Sequence, residues 1–569
     1  MLISFLLICY TLFTAYISGI VFLHVFSKLI GLNNRNNDFA FAAISGLCWI
    51  AILISIQHIF SPVGIFSHVL VWGINCFFWS TNSQGFLTIV SKQFQFFKTQ
   101  PKQVYILYFL FFIGALINII ARPATGDAAD YHFQAIRWME EYKVVPGIGN
   151  VRRQLGNNSN WFLLNAFFGF SFTGLRSVYV LNASLLLIAV TYFSEAFSKF
   201  LTGKSDKFFV IKSVILIYLM LTVFRKYVGA VTNDFAITVM IMYIFTMLLE
   251  CETENIFKRI MLVFFIAVMV TFKLSALPMV LLALLIAVSI FNQLNLRTIF
   301  AFCLLIILLI VPWLYTNVMN CGYLVFPLSN PDLFMVDWKM NKSVLEWEVM
   351  ANLAWARVPF TDVEISSKLI FAQWFPLWLK SLDAFSLFLM IGSIVSTIFL
   401  AIIFSFKKYR EKIISVMHKE NVFIIITGVT ALYLWFTHGP TPRFVFGYLT
   451  FILAAQCWVY SMVFPSINKV LINQRKHLFS MIALIFFVSC ISFLPKNFTI
   501  NTFATGLILP GKYVEVKIKP LKLHQGFVNV PEIGCQCWDS PLPCTSQLDT
   551  TLMWRGTKME EGFKIINKN

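Results

Sequence analysis

Charged residues are scarce in this sequence. Only 12% of its 569 residues are Asp, Glu, Lys or Arg, 59% are hydrophobic, and the mean hydropathy is +0.77. Soluble globular chains carry about 25% charged residues, so the composition excludes a soluble or a disordered chain. With 11 Cys and 26 Gly, it also excludes a disulfide-rich secreted module and a collagen-like repeat. The sequence therefore predicts spanning helices joined mostly by short loops.

Several familiar catalytic motifs are also missing. The chain contains no Walker loop, GxGxxG, HExxH or GxSxG pattern. Lys and Arg outnumber Asp and Glu by 44 to 26, which gives a formal net charge of +18. These basic residues lie beside apolar runs, where they act as topology signals, so we expect membrane lipids and no nucleic acid as partners.

The hydrophobic runs predict an all-α polytopic membrane protein. A spanning helix needs roughly 20 mostly apolar residues, and the first run lacks the basic start of a cleavable signal. An even number of spans places both termini on one side. We predict 14 transmembrane helices, at residues 2–27, 39–57, 63–80, 103–121, 174–198, 208–224, 229–249, 259–272, 275–291, 299–316, 385–405, 421–437, 443–463 and 478–494.

Loop charges predict the orientation of these helices. Four basic residues, Arg225, Lys226, Lys273 and Arg443, lie in the short loops of one side. Positive charge favours the cytoplasmic side, so both termini are predicted to be extracytoplasmic. The loops of the cytoplasmic side hold nineteen basic residues: Lys28, Arg35, Lys92, Lys98, Lys102, Lys199, Lys204, Lys207, Lys258, Arg259, Arg297, Lys407, Lys408, Arg410, Lys412, Lys419, Lys469, Arg475 and Lys476.

Three longer segments are predicted on the extracytoplasmic side: 122–173, 317–384 and the C-terminal tail 495–569. Residues 161–173 are apolar but too short to span, which favours an interfacial or re-entrant segment. The tail contains three clustered cysteines, and its sequence favours a Cys537–Cys544 disulfide that closes a loop with proline. A zinc site is the alternative, with Asp539 as the one nearby fourth ligand.

The segment after the fourth run carries the most informative residues. Read as a helix, 128–142 has one apolar stripe and one polar stripe, which is typical of a helix lying on a membrane surface. Asp127 precedes this helix, and Asp130, Tyr131 and His132 follow within it. Asp127 could cap the helix and Asp130 could simply be solvated. Alternatively, either carboxylate could accept a proton from a sugar hydroxyl.

The four extracytoplasmic cations oppose the positive-inside pattern. Arg225 and Lys226 follow the sixth run, Lys273 ends the eighth, and Arg443 opens the thirteenth. Each could snorkel to lipid headgroups, but four on one rim suggest a shared anion such as a lipid phosphate. Asp234 could orient one of the cations or cap its own helix.

Prolines and tryptophans mark the second long segment. Pro312, Gly322, Pro327 and Pro331 are predicted to end the tenth helix and turn the chain along the surface. Interfacial anchoring and sugar stacking both suit the tryptophans that follow, and anchoring is the default role. These are Trp338, Trp347, Trp355, Trp374 and Trp378.

This layout resembles the GT-C superfamily of integral-membrane glycosyltransferases, which includes protein O-mannosyltransferases and the aminoarabinose transferase of lipid A. The residues that carry the resemblance stand in one order along residues 103–494. The usual acidic neighbour of the first Asp is absent at Ala128, which leaves Asp130 as a rival base. The matching stretches are Gly126-Asp127-Ala128-Ala129-Asp130-Tyr131-His132, Pro312-Trp313, Gly322-Tyr323-Leu324-Val325-Phe326-Pro327 and Thr441-Pro442-Arg443-Phe444.

The resemblance implies a catalytic module at 103–494, with outer loops 122–173 and 317–384, additional helices in 1–102 and a separate tail. It implies an inverting enzyme of the bacterial inner membrane that takes a sugar from a polyprenyl-phosphate donor to a glycan, lipid or protein. Asp127 or Asp130 would be the base. Tyr131, His132, Arg225, Lys226, Asp234, Lys273, His438 and Arg443 would bind substrate. No cofactor is assigned, and a divalent cation stays open.

Two other functions stay open. One is a transporter or flippase of lipid-linked sugars, although such proteins favour polar groups near mid-membrane and often have internal repeats, which this sequence lacks. The other is a polysaccharide polymerase or ligase. The role of the tail stays open between substrate capping and support of folding.

Overall fold

The protein is mainly helical and crosses the membrane several times. The computed structural model describes residues 1–34, 38–122, 125–174, 177–204, 206–464, 466, 475–494, 499–511, 513–547 and 549–566, and 71% of the chain is helical. Nine helices in this described part are long and apolar enough to span a membrane. They are Leu2–Ile30, Phe39–His58, Lys102–Ile120, Leu181–Leu201, Asn233–Glu250, Leu296–Cys321, Ala384–Ser405, Lys419–His438 and Phe446–Val463.

Further helices occur in the rest of the described chain. Five of them coincide with the remaining predicted runs: Ile65–Thr81, Phe209–Thr222, Ile256–Phe272, Pro278–Ile290 and Arg475–Phe493. Every predicted run therefore overlaps a helix, and nine of those helices are both long and apolar enough to span. The others are Ser83–Lys98, Phe133–Glu141, Ile148–Val151, Asn160–Gly169, Lys342–Arg357, Val363–Ser367, Phe371–Ser381, Lys407–Val416 and Ile500–Thr505.

The tenth helix does not end at Pro312 as predicted, but it does end at Gly322, another of the four residues predicted to stop it. Leu296–Cys321 continues through Pro312 and ends before Gly322, which adopts the left-handed conformation at φ 83°. A proline within a helix removes one backbone hydrogen bond, but packing can retain the helix, and the Trp313 ring beside it is buried. Glycine takes this backbone conformation at little cost, so Gly322 is the residue at which the helix ends.

The surface helix expected at 128–142 is enclosed by protein on two faces. Its first turn, Ala128–His132, is a π-helix, and Phe133–Glu141 continues as an α-helix. Phe133 and Ile136 on the apolar stripe are buried in the core, and Gln134 on the polar stripe is buried as well. The amphipathic pattern therefore marks a helix between the core and the C-terminal tail.

The apolar segment 161–173 overlaps the buried helix Asn160–Gly169. All ten of its residues are buried, and it packs against the helices Phe39–His58 and Phe133–Glu141. A helix of ten residues rises only about 15 Å, so it cannot cross a bilayer. It lies inside the protein, against the stretch that carries Asp127 and Asp130. We call that stretch, residues 127–144, the acidic segment.

The first two helices cross each other at very short range. A Cβ atom on Gly19 would lie 1.7 Å from the Ala42 carbonyl oxygen, and one on Gly46 would lie 1.8 Å from that of Ala15. Small residues permit such close backbone approach in membrane helices. The N-terminal region also bonds to the acidic segment, since the Val63 and Val144 backbone N–H groups donate to Met139 and His58 carbonyls.

The C-terminal tail adds a small β component that hydropathy did not predict. Ile518–Lys522 pairs antiparallel with Phe527–Pro531, and Leu552–Trp554 pairs antiparallel with Phe563–Ile565. Each sheet has two strands, and isolated two-stranded sheets are marginal, so they depend on packing against the rest of the molecule. Phe563 provides such packing: it is fully buried, and its N–H donates to the Pro146 carbonyl.

Candidate functional site

Asp127 stands between the spanning helix Lys102–Ile120 and the π-helical turn Ala128–His132. The Ala128 backbone N–H donates to both the carbonyl and the hydroxyl oxygen of Thr125, which closes a turn that contains Asp127. Asp127 makes no capping hydrogen bond to the turn that follows it. Its carboxylate instead pairs with Arg443.

Arg443 lies in the short 3-10 turn Pro442–Phe444, between two spanning helices. Two indole N–H groups fix the chain just before it: Trp378 donates to the Pro440 carbonyl at 2.7 Å, and Trp435 donates to the Thr441 carbonyl at 2.8 Å. The Trp378 ring is buried. At least one of the tryptophans that suggested interfacial anchoring therefore also positions Arg443.

Asp234 and Lys273 are brought together by two neighbouring helix ends. Asp234 is in the first turn of Asn233–Glu250, and Lys273 directly follows Ile256–Phe272. The Phe272 carbonyl accepts hydrogen bonds from the Asn233 amide at 2.9 Å and the Ser159 hydroxyl at 2.7 Å, which ties the two ends to the segment 158–160. The Lys273 ammonium pairs with the Asp234 carboxylate.

These four side chains form one ionic network, which we call the Arg443 cluster: Asp127, Asp234, Lys273 and Arg443. Arg443 Nη2 is 2.5 Å from Asp127 Oδ2, and its Nε is 3.3 Å from Asp234 Oδ2. The Lys273 ammonium also lies 4.4 Å from the centre of the Phe444 ring. Carboxylates and cations alternate along the network, and their formal charges sum to zero.

The electrostatics of the cluster favour its ionised form. Burial alone would raise the pKa of Asp127, but the Arg443 guanidinium, helped by His132 and Lys273, lowers the pKa below its ordinary value. Burial opposes the charge of Arg443 as well, but Asp234 and Asp127 raise its pKa above its ordinary value. An anion that approached Arg443 would therefore compete with an ionised Asp127.

Tyr131 and His132 lie next to the cluster. The His132 ring is buried against Phe162, with ring centres 4.7 Å apart, and burial lowers the pKa of His132 to about 4. This imidazole is neutral at pH 7, and its Nδ1 has no hydrogen-bond partner in the described part of the chain. Tyr131 is partly exposed, and its ring lies 4.4 Å from that of His132.

Asp130 belongs to a second group of charges. Its carboxylate pairs with Arg152, whose side chain is only 1% exposed. The adjacent Arg153 pairs with Glu348 at 2.7 Å and lies over the Trp347 ring, 4.0 Å from its centre. Burial raises the pKa of Asp130 above its ordinary value despite Arg152, so the two candidate bases differ in electrostatic environment.

Arg225, Lys226 and His438 lie outside the cluster. Arg225 pairs with Asp383 at 2.6 Å. Lys226 is exposed and has no ion pair within the described ranges. His438 is exposed and bonds to Thr437 and Leu434 of its own helix. The structure thus brings together two of the four cations on the predicted rim.

A divalent cation has no evident ligand set in the part of the chain that the structure describes. No group of three or more His, Cys, Asp or Glu side chains that could hold a metal ion occurs among the residues that the structure describes. The two carboxylates of the Arg443 cluster are each paired with a cation instead.

Sequence reasoning missed Arg152, Glu348 and Asp383 as partners of the candidate site residues. Arg152 could have been suspected, because Arg152-Arg153 lies in the same segment, 122–173, as the two aspartates. Glu348 and Asp383 carry no such signal, since each is about 160–200 positions from its partner in the chain and only the fold brings them close.

The tail contains the favoured disulfide and covers the acidic segment. Cys537 and Cys544 are joined, and Cys535 is a free, exposed thiol. The Gln134 side chain donates to the Trp538 and Ser540 carbonyls. The tail is therefore part of the surroundings of Asp127 and Asp130.

Comparison with known proteins assigns the family of the chain. A family model described as "Domain of unknown function (DUF8201)" matches residues 1–450, so the protein belongs to this family. No curated protein gives a significant match, and no solved structure does. The matched region includes all four residues of the Arg443 cluster and ends before the tail.

Proposed function

We propose that the protein is a GT-C-type inverting glycosyltransferase on the extracytoplasmic face of a bacterial inner membrane. It moves a sugar from a polyprenyl-phosphate donor to a glycan, lipid or protein acceptor. In this proposal the chain spans the membrane fourteen times, and both termini are extracytoplasmic. The other five helices then reach across the bilayer together with their flanking turns, as Pro278–Ile290 does with the 3-10 turn Phe291–Gln293.

The observation that carries the proposal is the contact between Asp127 and Arg443. These residues are 316 positions apart in the chain, yet their side chains meet at 2.5 Å at one end of the helix bundle. A proton acceptor and a phosphate-binding group must straddle one sugar–phosphate bond in such a transfer, so they must lie within a few ångströms of each other. Arg443 and Lys273 supply two cations for the phosphate.

The chemical step follows from this arrangement. The acceptor hydroxyl attacks the anomeric carbon and forms a new C–O bond, while the bond from that carbon to the donor phosphate oxygen breaks. The hydroxyl proton passes to Asp127, or alternatively to Asp130, and polyprenyl phosphate leaves with the bonding electron pair. Arg443 and Lys273 stabilise the negative charge that develops on the leaving phosphate.

The position of the charges favours transfer over transport. Asp234 lies at one end of Asn233–Glu250, Glu250 lies at the other, and no charged residue stands between them. About 24 Å of apolar helix therefore separates the two charged ends. A transporter of sugar-lipids would need polar groups near the middle of the membrane.

A deletion strain tests the proposal. Mass spectrometry of its envelope glycans is expected to show the loss of one sugar substituent, and expression of the wild-type protein should restore it. Arg443→Ala and Asp127→Asn variants should be present in the membrane at normal levels yet fail to restore the sugar.

Asp383→Asn is the matched control for these variants. Asp383 is a partly exposed carboxylate paired with Arg225 outside the Arg443 cluster, so its variant should restore the sugar fully. Unchanged glycans in the deletion strain would overturn the proposal. Full restoration by both Arg443→Ala and Asp127→Asn would overturn the assignment of the site.

A further inference from the structure

We propose that the tail loop, residues Cys537–Cys544, is a positioning element that fixes the direction of the Asp127 and Asp130 carboxylates. The effect of the tail loop on catalysis rests on the proposed function, whereas its effect on the conformation of the acidic segment does not. The tail loop lies outside the region that defines the family. It nevertheless makes direct contact with the segment that carries both candidate bases.

The first contact is at the π-helical turn. The Phe133 N–H donates to the Ala128 carbonyl five residues earlier, as a π turn requires. Such a turn inserts one extra residue and interrupts the regular series of helix hydrogen bonds. The neighbouring Ala129 carbonyl accepts a hydrogen bond from the Trp538 backbone N–H at 2.9 Å. The tail loop therefore bonds to the backbone between Asp127 and Asp130.

The second contact is one helical turn further along. The Gln134 side-chain amide donates to the Trp538 carbonyl at 3.0 Å and the Ser540 carbonyl at 2.9 Å. Arg137 Nη1 donates to the Asp539 carbonyl at 2.8 Å. Three consecutive backbone carbonyls of the tail loop are thus held by one face of the helix, and Gln134 is fully buried beneath them.

The chain beyond the tail loop reaches the partners of Asp130 and Glu348. Arg152 Nη1 donates to the Ser546 hydroxyl at 3.1 Å, and Arg153 Nη1 donates to the Gln547 side chain at 2.6 Å. Arg152 is also the ion-pair partner of Asp130. The tail thus holds Asp130 from two sides, through the backbone of its own turn and through the arginine it pairs with.

The π turn determines where the two carboxylates point. A helix advances about 100° per residue, so loss of the inserted residue would turn Asp127 and Asp130 by about 100° relative to Phe133–Glu141. Asp127 would then lose its direction toward Arg443. The disulfide restricts the tail loop to few conformations, which lowers the entropy cost of holding three carbonyls in register.

The test compares the Cys537→Ser/Cys544→Ser double variant with Cys535→Ser, which removes a free, exposed thiol two residues away. The full-length protein is measured by hydrogen exchange with mass spectrometry. We expect amides of residues 128–134 to exchange at least about tenfold faster in the double variant. The control should match wild type, and exchange in Lys419–His438 should be unchanged in both.

Gln134→Met serves as a second variant, because it keeps the disulfide and the side-chain length but removes both donated hydrogen bonds. It should raise exchange in the same residues to a smaller extent. Wild-type exchange at residues 128–134 in both the double variant and Gln134→Met would overturn the proposal. If the double variant does not fold, wild-type exchange in Gln134→Met is by itself enough to overturn it.

Kinetics separate the positioning role from the proposed function. With a polyprenyl-phosphate sugar as donor, both variants should lower kcat by about tenfold and leave the donor KM within about twofold, because the cations of the Arg443 cluster remain in place. A rise in KM alone would contradict positioning of the base. The wild-type protein could also fail to transfer sugar while the variants still show faster exchange. That combination would support the positioning role of the tail loop and reject the transferase.

Discussion

Two ionic clusters lie at opposite ends of the same helices. Three helices have the Arg443 cluster residues Asp234, Lys273 and Arg443 within them or next to them at one end. These helices are Asn233–Glu250, Ile256–Phe272 and Lys419–His438. At the other end they carry Glu250, Arg259 and Glu420. Glu250 pairs with Lys212, and Arg259 pairs with Glu420; we call these two ion pairs the Arg259 cluster. The residue types are nearly the same at the two ends, but the surroundings differ.

The difference is one of access. In the Arg259 cluster, the side chains of Arg259 and Glu420 are 0% and 9% exposed, and they pair at 2.6 Å. In the Arg443 cluster, the side chains of Arg443 and Asp127 are 28% and 40% exposed. A sealed pair can only hold helices together, whereas an open pair can exchange its partner for a ligand. We therefore propose a structural role for the first cluster and a binding role for the second.

The largest expected effect is on stability and concerns the sealed pair. Glu420→Gln leaves the Arg259 guanidinium buried without a counter-charge, which we expect to lower the free energy of unfolding by about 3–5 kcal/mol. Thermal unfolding in detergent measures this. Asp383→Asn, which breaks a partly exposed pair, is the control and should cost less than about 1 kcal/mol. Equal losses in both variants would remove the distinction between sealed and open pairs.

The next effect is on turnover and concerns the open pair. Arg443→Ala should lower the rate of sugar transfer on the order of a hundredfold, because one donor to the developing phosphate charge is lost. Its unfolding temperature should stay close to that of wild type. Arg443→Lys should recover part of the rate, since it keeps the charge but not the two-pronged geometry. A loss of stability larger than that in Glu420→Gln would reverse the comparison.

A smaller effect distinguishes the two candidate bases by pH. A base loses activity as pH falls through its pKa. Because Arg443 lowers the pKa of Asp127, activity should persist below the ordinary range of an Asp carboxyl if Asp127 is the base. The pH–rate profile of Asp130→Asn should then keep the wild-type acid limb. An acid limb above that range, absent in Asp130→Asn, would assign the base to Asp130, whose pKa is raised.

The smallest effect is on the pH dependence of stability and concerns Glu140, a residue of the acidic segment. Burial raises the pKa of Glu140 to about 8, and its carboxyl accepts a hydrogen bond from Ser177. Between its ordinary pKa and pH 8 the folded state binds more protons at this group, so its contribution to stability decreases as pH rises. Glu140→Gln should flatten that decrease in thermal unfolding measured from pH 5 to 9. An unchanged slope would show that Glu140 is ionised in the folded protein.

Hydropathy predicted where the helices are, because each helix in a membrane satisfies its own backbone and needs only a long apolar run. It did not predict the helix Ser83–Lys98, which has an amphipathic sequence and little apolar excess. The strands of the tail were not predicted either, since they are three to five residues long and depend on contacts with distant segments.

The candidate site was predictable in part. Asp127, Asp234, Lys273 and Arg443 are recognisable from the sequence because charge at the end of an apolar helix needs an explanation. The pairing of Asp127 with Arg443 depends on the fold, and so does the pairing of Arg225 with Asp383 outside the cluster. The π turn before Phe133 was hidden for another reason: no residue type encodes it, and the tail that bonds to it lies about 400 positions away.

The neutrality of the Arg443 cluster has a consequence for the catalytic cycle. Two carboxylates and two cations cancel, so a bound phosphodiester donor brings the site to a net charge of minus one. After transfer the leaving phosphomonoester carries minus two, while one carboxylate has become neutral by taking the acceptor proton. The total is again minus one. In the proposed reaction, the charge removed by protonation of the carboxylate and the charge gained by the leaving phosphate compensate each other. The overall charge of the site is therefore the same with substrate and with product.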